Sequence, residues 1–295
     1  MSELALDLST ACLAPLTLPH VAQVAAQAGY HGLELVLGPD YLVRGPAWMR
    51  RTVASLALPV VTVHQPLYHL ARWSDPATLV NDTVSLAVDL GAEAVVFHSP
   101  WAVSWAEDEA SAWQRALLAA RDAAATSNTR LTVENLGDHR GMPPRTVLSK
   151  LGDLAAFCRQ HDLGLTYDTC HAGTLYADLG AELTQVADVL TNVHFSDCRH
   201  GLWLGKMPVV DVISANHQLP GDGELDLTGA LAALVRQGYR GPVTFEVSPF
   251  AARSWRPARR LERLEQALSL ARGALRNAHA VAQEAAPASV ILSNR

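Results

Sequence analysis

Acidic and imidazole side chains recur in this sequence at one kind of place, the end of a short β-branched run. Glu34 stands in HGLELV, His64 in VTVHQP, His98 in VVFHSP and Glu134 in LTVENLG. Asp168 and His171 share LTYDTCHA, His194 and Asp197 share NVHFSD, and Glu246 lies in VTFEVSP. His217 belongs to a loop segment, HQLPGDG. A single histidine or glutamate in such a position is ordinarily a hydrogen-bonded structural group. A whole series on one rim needs another account. Carboxylates that converge repel one another, and they either take up protons or bind a cation. The cation is the less costly solution, and it predicts a metal held by Glu134, Asp168, His194 and Glu246. Three carboxylates and one imidazole suit Mn²⁺, Co²⁺, Mg²⁺ or Zn²⁺ rather than thiolate-seeking metals. Cys170 and Cys198, near these ligands in sequence, read as small apolar residues.

Such residues meet only if the strands carrying them lie side by side. The chain alternates β-branched runs with longer Ala- and Leu-rich segments of helical periodicity. Strands are expected over Leu4 to Leu8, Gly32 to Val36, Pro59 to Gln65, Ala94 to His98, Arg130 to Asn135, Leu163 to Asp168, Asn192 to Asp197 and Pro242 to Val247. Helical stretches such as LVNDTVSLAVDLG follow them, and Gly29, Gly91 and Gly238 stand where helices should end. The strands are nearly continuous apolar runs, as parallel strands covered by helices usually are. Eight β/α units close most economically into a (β/α)8 TIM barrel with its chemistry at the C-terminal ends of the strands. An open doubly wound sheet would show a glycine-rich turn after its first strand, and LSTACLAPLTLP has none.

The bulk properties agree. With 295 residues and 49% apolar side chains, one barrel domain over residues 1–279 and a C-terminal tail over 280–295 are expected. Apolar stretches are too short to span a membrane. No basic region precedes an apolar one at the N-terminus, and the four cysteines form no CxxC pattern, so a reduced cytoplasmic setting is expected. The net charge of −6 argues against a nucleic-acid partner.

The motifs HGLEL, VHQP, VVFHSP, VEN, YDTCHA, VHFSD, HQLPGDGELD and TFEV resemble the xylose-isomerase-like barrel superfamily. That group includes sugar-phosphate isomerases and epimerases, inosose dehydratases and endonuclease IV. The resemblance runs over residues 4 to 275 and implies a sugar, sugar-phosphate or polyol isomerase or epimerase of carbohydrate metabolism. Its cofactor would be Mn, Co or Zn. In such enzymes the residues matching Glu134, Asp168, His194 and Glu246 hold the metal, and the two glutamates also act as acid and base on a metal-stabilised enediolate. His171 and Arg199 would contact substrate hydroxyls. Arg140 stands where some epimerases carry an acidic substrate-binding residue.

A second implication of the same resemblance is a zinc-cluster phosphodiesterase acting at apurinic sites. His64, His98, His171 and His217 match further ligands of endonuclease IV, and they are candidates for a second metal or for substrate. Its remaining aspartate is replaced here by Ala215. A barrel that binds a ligand without turnover is the third and least favoured reading, because both candidate acid/base glutamates are present. Trp73, Trp101, Trp105, Trp203 and Trp255 follow strand ends. Trp101 and Trp203 are expected to stack on the sugar, although packing between loops or a homo-oligomer interface would serve equally. Arg253, Arg256, Arg259, Arg260 and Arg263 read as a solvated helix face with Glu262 and Glu265. GDG at 221–223 reads as a turn.

Overall fold

The computed structural model describes residues 4–68, 70–137, 146–199 and 215–285. Eight parallel strands close in sequence order: β1 (Leu6–Ser9), β2 (Gly32–Val36), β3 (Val60–His64), β4 (Ala94–His98), β5 (Arg130–Glu134), β6 (Gly164–Asp168), β7 (Leu190–His194) and β8 (Val243–Phe245). Closure is made by β1 against β8, with Leu6, Asp7 and Leu8 opposite Val243, Thr244 and Phe245. Every expected strand is present.

The helices between them start and stop for local reasons. Before α3 (Pro76–Leu90), the Asp75 carboxylate accepts from the Thr78 amide at 2.8 Å, and Pro76 occupies the first turn, where no amide donor is needed. That helix ends at Gly91, with φ of 67°, and α1 (Leu18–Ala28) ends at Gly29, with φ of 94°. Both φ values lie in the left-handed region where a side chain costs most, and both amides return to carbonyls of the last turn.

Along each strand, alternate residues face opposite sides. One set, including Leu6, Leu8, Leu33, Leu35, Phe97, Val133 and Phe245, joins the hydrophobic core shared with the surrounding helices. The other set points to the barrel axis and is largely polar: Asp7, Ser9, Glu34, Thr62, Thr132, Thr166, Asn192 and Thr244 are all fully buried. Thr132 and Thr166 share a hydroxyl–hydroxyl bond of 2.6 Å, and Thr132 also donates to the Val95 carbonyl at 2.9 Å. Barrel interiors are more often packed with Val, Ile and Leu. The nearly apolar strands read from the sequence are therefore apolar on the helix side, while the axial side is mostly polar, with Ala94 and Val96 of β4 as apolar members.

A second difference concerns β7, which ends at His194 although a strand as far as Asp197 was expected. The chain leaves the ladder because the Asp197 carboxylate is claimed by a turn. Its Oδ2 accepts from the amides of Gly221 and Gly223 at 3.1 and 3.0 Å, and its Oδ1 from Leu225 at 3.0 Å. A Cβ at position 223 would lie 2.2 Å from that carboxylate, so glycine is required for the close approach.

At the foot of the barrel, Asp7 is wholly buried, and among the described residues neither carboxylate oxygen has a well-formed hydrogen bond. Burial, reinforced by Glu93 and Glu34, pushes its pKa up to about 7. The folded chain thus keeps a proton that the unfolded chain releases, so this group weakens the fold as pH rises from the ordinary carboxylate range to about 7. Asp7→Asn removes the charge. It is expected to stabilise the protein at pH 8 by up to about 4 kcal/mol, and hardly at all near pH 4. Thermal melts of both proteins across that range test this, and a gap independent of pH contradicts it.

Candidate metal centre

Glu134 ends β5, Asp168 ends β6, His194 ends β7 and Glu246 immediately follows β8. One ligand atom from each lies within 4.8 Å of every other, in a buried group at the C-terminal mouth of the barrel. The register explains it: His98 pairs with Glu134 and Asp168 pairs with His194, so the side chains rise to one level. His194 Nδ1 is the hub, 2.9 Å from Glu246 Oε2, 3.3 Å from Glu134 Oε1 and 3.8 Å from Asp168 Oδ2.

These contacts are short but lack hydrogen-bond geometry. Among the described residues, His194 Nδ1, Glu134 Oε1 and Asp168 Oδ2 therefore have no hydrogen-bond partner although they are buried. Lone-pair-bearing atoms facing one another in that way fit a cation between them, and the oxygen-rich donor set fits a hard or borderline divalent metal.

The charges settle accordingly. For Glu134, burial raises the pKa, but His194 and His98 outweigh it and hold the carboxyl well below its ordinary range. Glu246 is lowered in the same way, chiefly by His194 against burial. Burial dominates at Asp168 and raises its pKa. His171 is pushed up to about 10, because Asp168 and Glu134 override the opposing effect of burial.

Two further groups adjoin the cluster. His64 and His98 approach Glu134 Oε2 at 3.4 and 3.2 Å through their Nε2 atoms, and the three residues form a second set of potential ligands. Asp168, Cys170 and His217 form a third. His217 is committed elsewhere as well: its Nδ1 lies 3.1 Å from the Glu246 carbonyl and 3.3 Å from Ser196 Oγ, while its amide donates to Cys170 Sγ at 3.1 Å. His171 Nδ1 lies 2.9 Å from the Asn135 carbonyl and 3.1 Å from Glu134 Oε1. Ala215 is buried and its carbonyl accepts from the Arg199 amide at 2.8 Å.

Other sequence candidates take different places. Asp197 and the GDG amides satisfy one another, as described above. Arg199 Nε donates to the Asp222 carbonyl at 2.5 Å, which braces the same turn. Trp73 is buried with its Nε1 bonded to Asp82 at 3.0 Å, and Trp105 stacks on Phe157 at 5.3 Å between ring centres. Both pack structure. Trp101, 51% exposed, lines a cleft with Leu67, Gln65 and His98 beside the cluster. Trp203 and Arg140 fall outside the described residues. The arginine run pins the last helix (Pro257–Ala285) as much as it solvates it. Arg263 binds Asp222 and donates to the Ala251 carbonyl, while Arg260 reaches the Ser254 carbonyl.

One residue passed over as a ligand, Glu34, touches the site directly. Its Oε2 lies 2.9 Å from His194 Nε2. Its place in HGLELV among the strand-end acids was the available signal, but its partner is 160 residues away.

Eight strands closed in order, with an acid-and-imidazole cluster at their C-terminal mouth, define a (β/α)8 barrel whose cluster could hold a cation. The chain belongs to the xylose isomerase-like TIM barrel family, whose model matches residues 22–272. An uncharacterized protein of Mycobacterium tuberculosis is 26% identical over 269 residues, covering 84% of this chain and 90% of its own. An L-ribulose 3-epimerase structure shares the fold with a TM-score of 0.69 at 17% identity, covering 97% of this chain and 98% of its own. An AP endonuclease, family 2, from Brucella melitensis has a TM-score of 0.60 at 20% identity, covering 84% and 94% respectively. Among the described residues, no helix is long and apolar enough to cross a membrane.

Proposed function

We propose that this protein is a divalent-metal-dependent sugar isomerase or epimerase. The observation that carries the reading is the buried convergence of Glu134, Asp168, His194 and Glu246 at the barrel mouth. These four would hold the metal, with Mn, Co and Zn as candidates. The metal supplies, when bound, neutralisation of the negative charge that develops on substrate oxygens as a proton leaves the carbon beside a carbonyl. Glu246 and Glu134 move that proton. Their strands are three places apart in the ring, so the carboxylates reach a bound sugar from different sides, as removal and return on opposite faces require. His171, fixed by the Asn135 carbonyl, orients a substrate hydroxyl, and Trp101 offers a ring face to the sugar. The likeness to L-ribulose 3-epimerase supports the sugar class at the level of fold.

The test is solvent exchange. Ketoses, ketose phosphates and keto-polyols are incubated in D2O with metal-loaded protein and followed by NMR. Metal-dependent deuterium uptake beside the carbonyl of at least one of them is expected, and Glu246→Gln should abolish it. No exchange with any member of these classes contradicts the reading.

The His64, His98 and Glu134 group favours a second reading, an endonuclease IV-like phosphodiesterase with a zinc cluster. Against it stand Ala215 at a position that would need an aspartate and a net charge of −6. Close to three zinc ions per chain together with nicking of abasic plasmid would establish it in place of the first.

A further inference from the structure

We infer that Glu34 is a positioning residue that locks the imidazole of His194 with Nδ1 facing the acid cluster. This rests on the metal reading above and adds a residue to it. An imidazole has two nitrogens, and its neutral form carries a proton on one and a lone pair on the other. The group that takes the proton therefore decides which nitrogen is left to ligate. At His194 the two sides are unequal. Nε2 lies 2.9 Å from Glu34 Oε2, and both side chains are fully buried. A carboxylate oxygen there accepts, so it holds a proton on Nε2. When a metal displaces the other proton, the lone pair of Nδ1 faces Glu134, Asp168 and Glu246.

Glu34 is itself held. Thr62 Oγ1 donates to the same Oε2 at 3.1 Å, and the register that sets Glu34 beside Thr62 on β3 makes this contact. The other oxygen, Oε1, has no hydrogen-bond partner among the described residues, so His194 and Thr62 are the groups there that account for a carboxylate buried in the axis of the barrel. Leu33 and Leu35 on either side join the hydrophobic core and point Glu34 inward. A histidine ligand whose other ring nitrogen meets a carboxylate is fixed in orientation and made more basic, and loss of such a partner typically weakens metal binding by about 10- to 100-fold.

The experiment is a Co²⁺ titration of the metal-free protein, read by the visible absorption of the bound ion and paired with thermal melts of the metal-free forms. Glu34→Gln keeps the size of the side chain and loses its charge, Glu34→Ala loses both, and Thr62→Val leaves Glu34 in place without its brace. Co²⁺ affinity is expected to fall by about 10- to 100-fold in Glu34→Gln, further in Glu34→Ala and less in Thr62→Val. Metal-free Glu34→Gln should melt lower, because the buried His194 ring loses the carboxylate facing its Nε2, so the readout that decides is the Co²⁺ affinity. A merely structural glutamate would lower the melting temperature with the affinity intact. Affinities within about twofold of wild type in both Glu34→Gln and Thr62→Val overturn the inference. Wild-type protein that binds no Co²⁺ overturns the metal reading and this inference with it, and the two failures are thereby told apart.

Discussion

Glu246→Gln is expected to leave a folded barrel whose turnover, once a substrate is in hand, falls by about 10²- to 10⁴-fold even at saturating metal. The amide matches the carboxylate in size and still presents an oxygen, so ligation is weakened rather than lost, while the capacity to take a proton disappears. Glu246 suits this test because, among the described residues, its carboxylate meets the cluster through one nitrogen, His194 Nδ1 at 2.9 Å. Glu134 is the harsher site. Four imidazoles crowd it: His64 at 3.4 Å, His98 at 3.2 Å, His171 at 3.1 Å and His194 at 3.3 Å. Glu134→Gln removes the charge they share, so metal content and stability should fall along with activity. The two variants thus separate in a kinetic and metal-content comparison. Turnover of Glu246→Gln within a factor of about ten of wild type would remove it from the acid/base role.

Metal affinity should rise steeply with pH. In the metal-free protein, burial alone would lower the pKa of His194, but Glu34, Glu246 and Glu134 outweigh burial and raise it well above the ordinary histidine value. Through neutral pH the ring therefore carries a proton that a metal must displace, whereas Glu134 and Glu246 are already ionised. Each proton displaced makes the apparent affinity increase about tenfold per pH unit, so binding should tighten roughly 100-fold between pH 6 and 8. Calorimetric titrations in buffers of different ionisation enthalpy count the released protons directly. Affinity that does not change over this range would mean that His194 is not displaced from a proton, and hence is not a ligand.

Most of what positions the site was readable in the chain. Short β-branched, nearly continuous apolar runs alternating with helical segments located all eight strands, and the residue types at their ends singled out Glu134, Asp168, His194 and Glu246, which the fold brings together. The axial side of the strands was not readable. Thr62, Thr132, Thr166 and Thr244 sit among valines of nearly the same shape and strand preference, so a polar interior and an apolar one look alike in sequence. Asp197 could not be told from its neighbours either. It resembles a ligand by position, yet backbone amides from a turn about 25 residues later consume it, and such partners leave no side-chain signature. Trp73 and Trp101 illustrate the same gap. Both follow strand ends, but the placement of Asp82 nine residues further on, in the helix Pro76–Leu90, decides that the first is structural.

The polar axis divides the molecule into two concentric parts with different duties. Apolar cohesion resides in the outer sleeve, where strand and helix side chains interlock, while the inner column is tied by polar bonds such as that of Thr132 to Thr166 and at Asp7 opposes the fold as pH rises. Improvement of heat resistance and change of catalytic properties therefore need not compete in this protein. Substitutions low in the column, far from the mouth, offer a place to harden the scaffold first, so that costly changes around the acid-and-imidazole cluster can be tolerated afterwards.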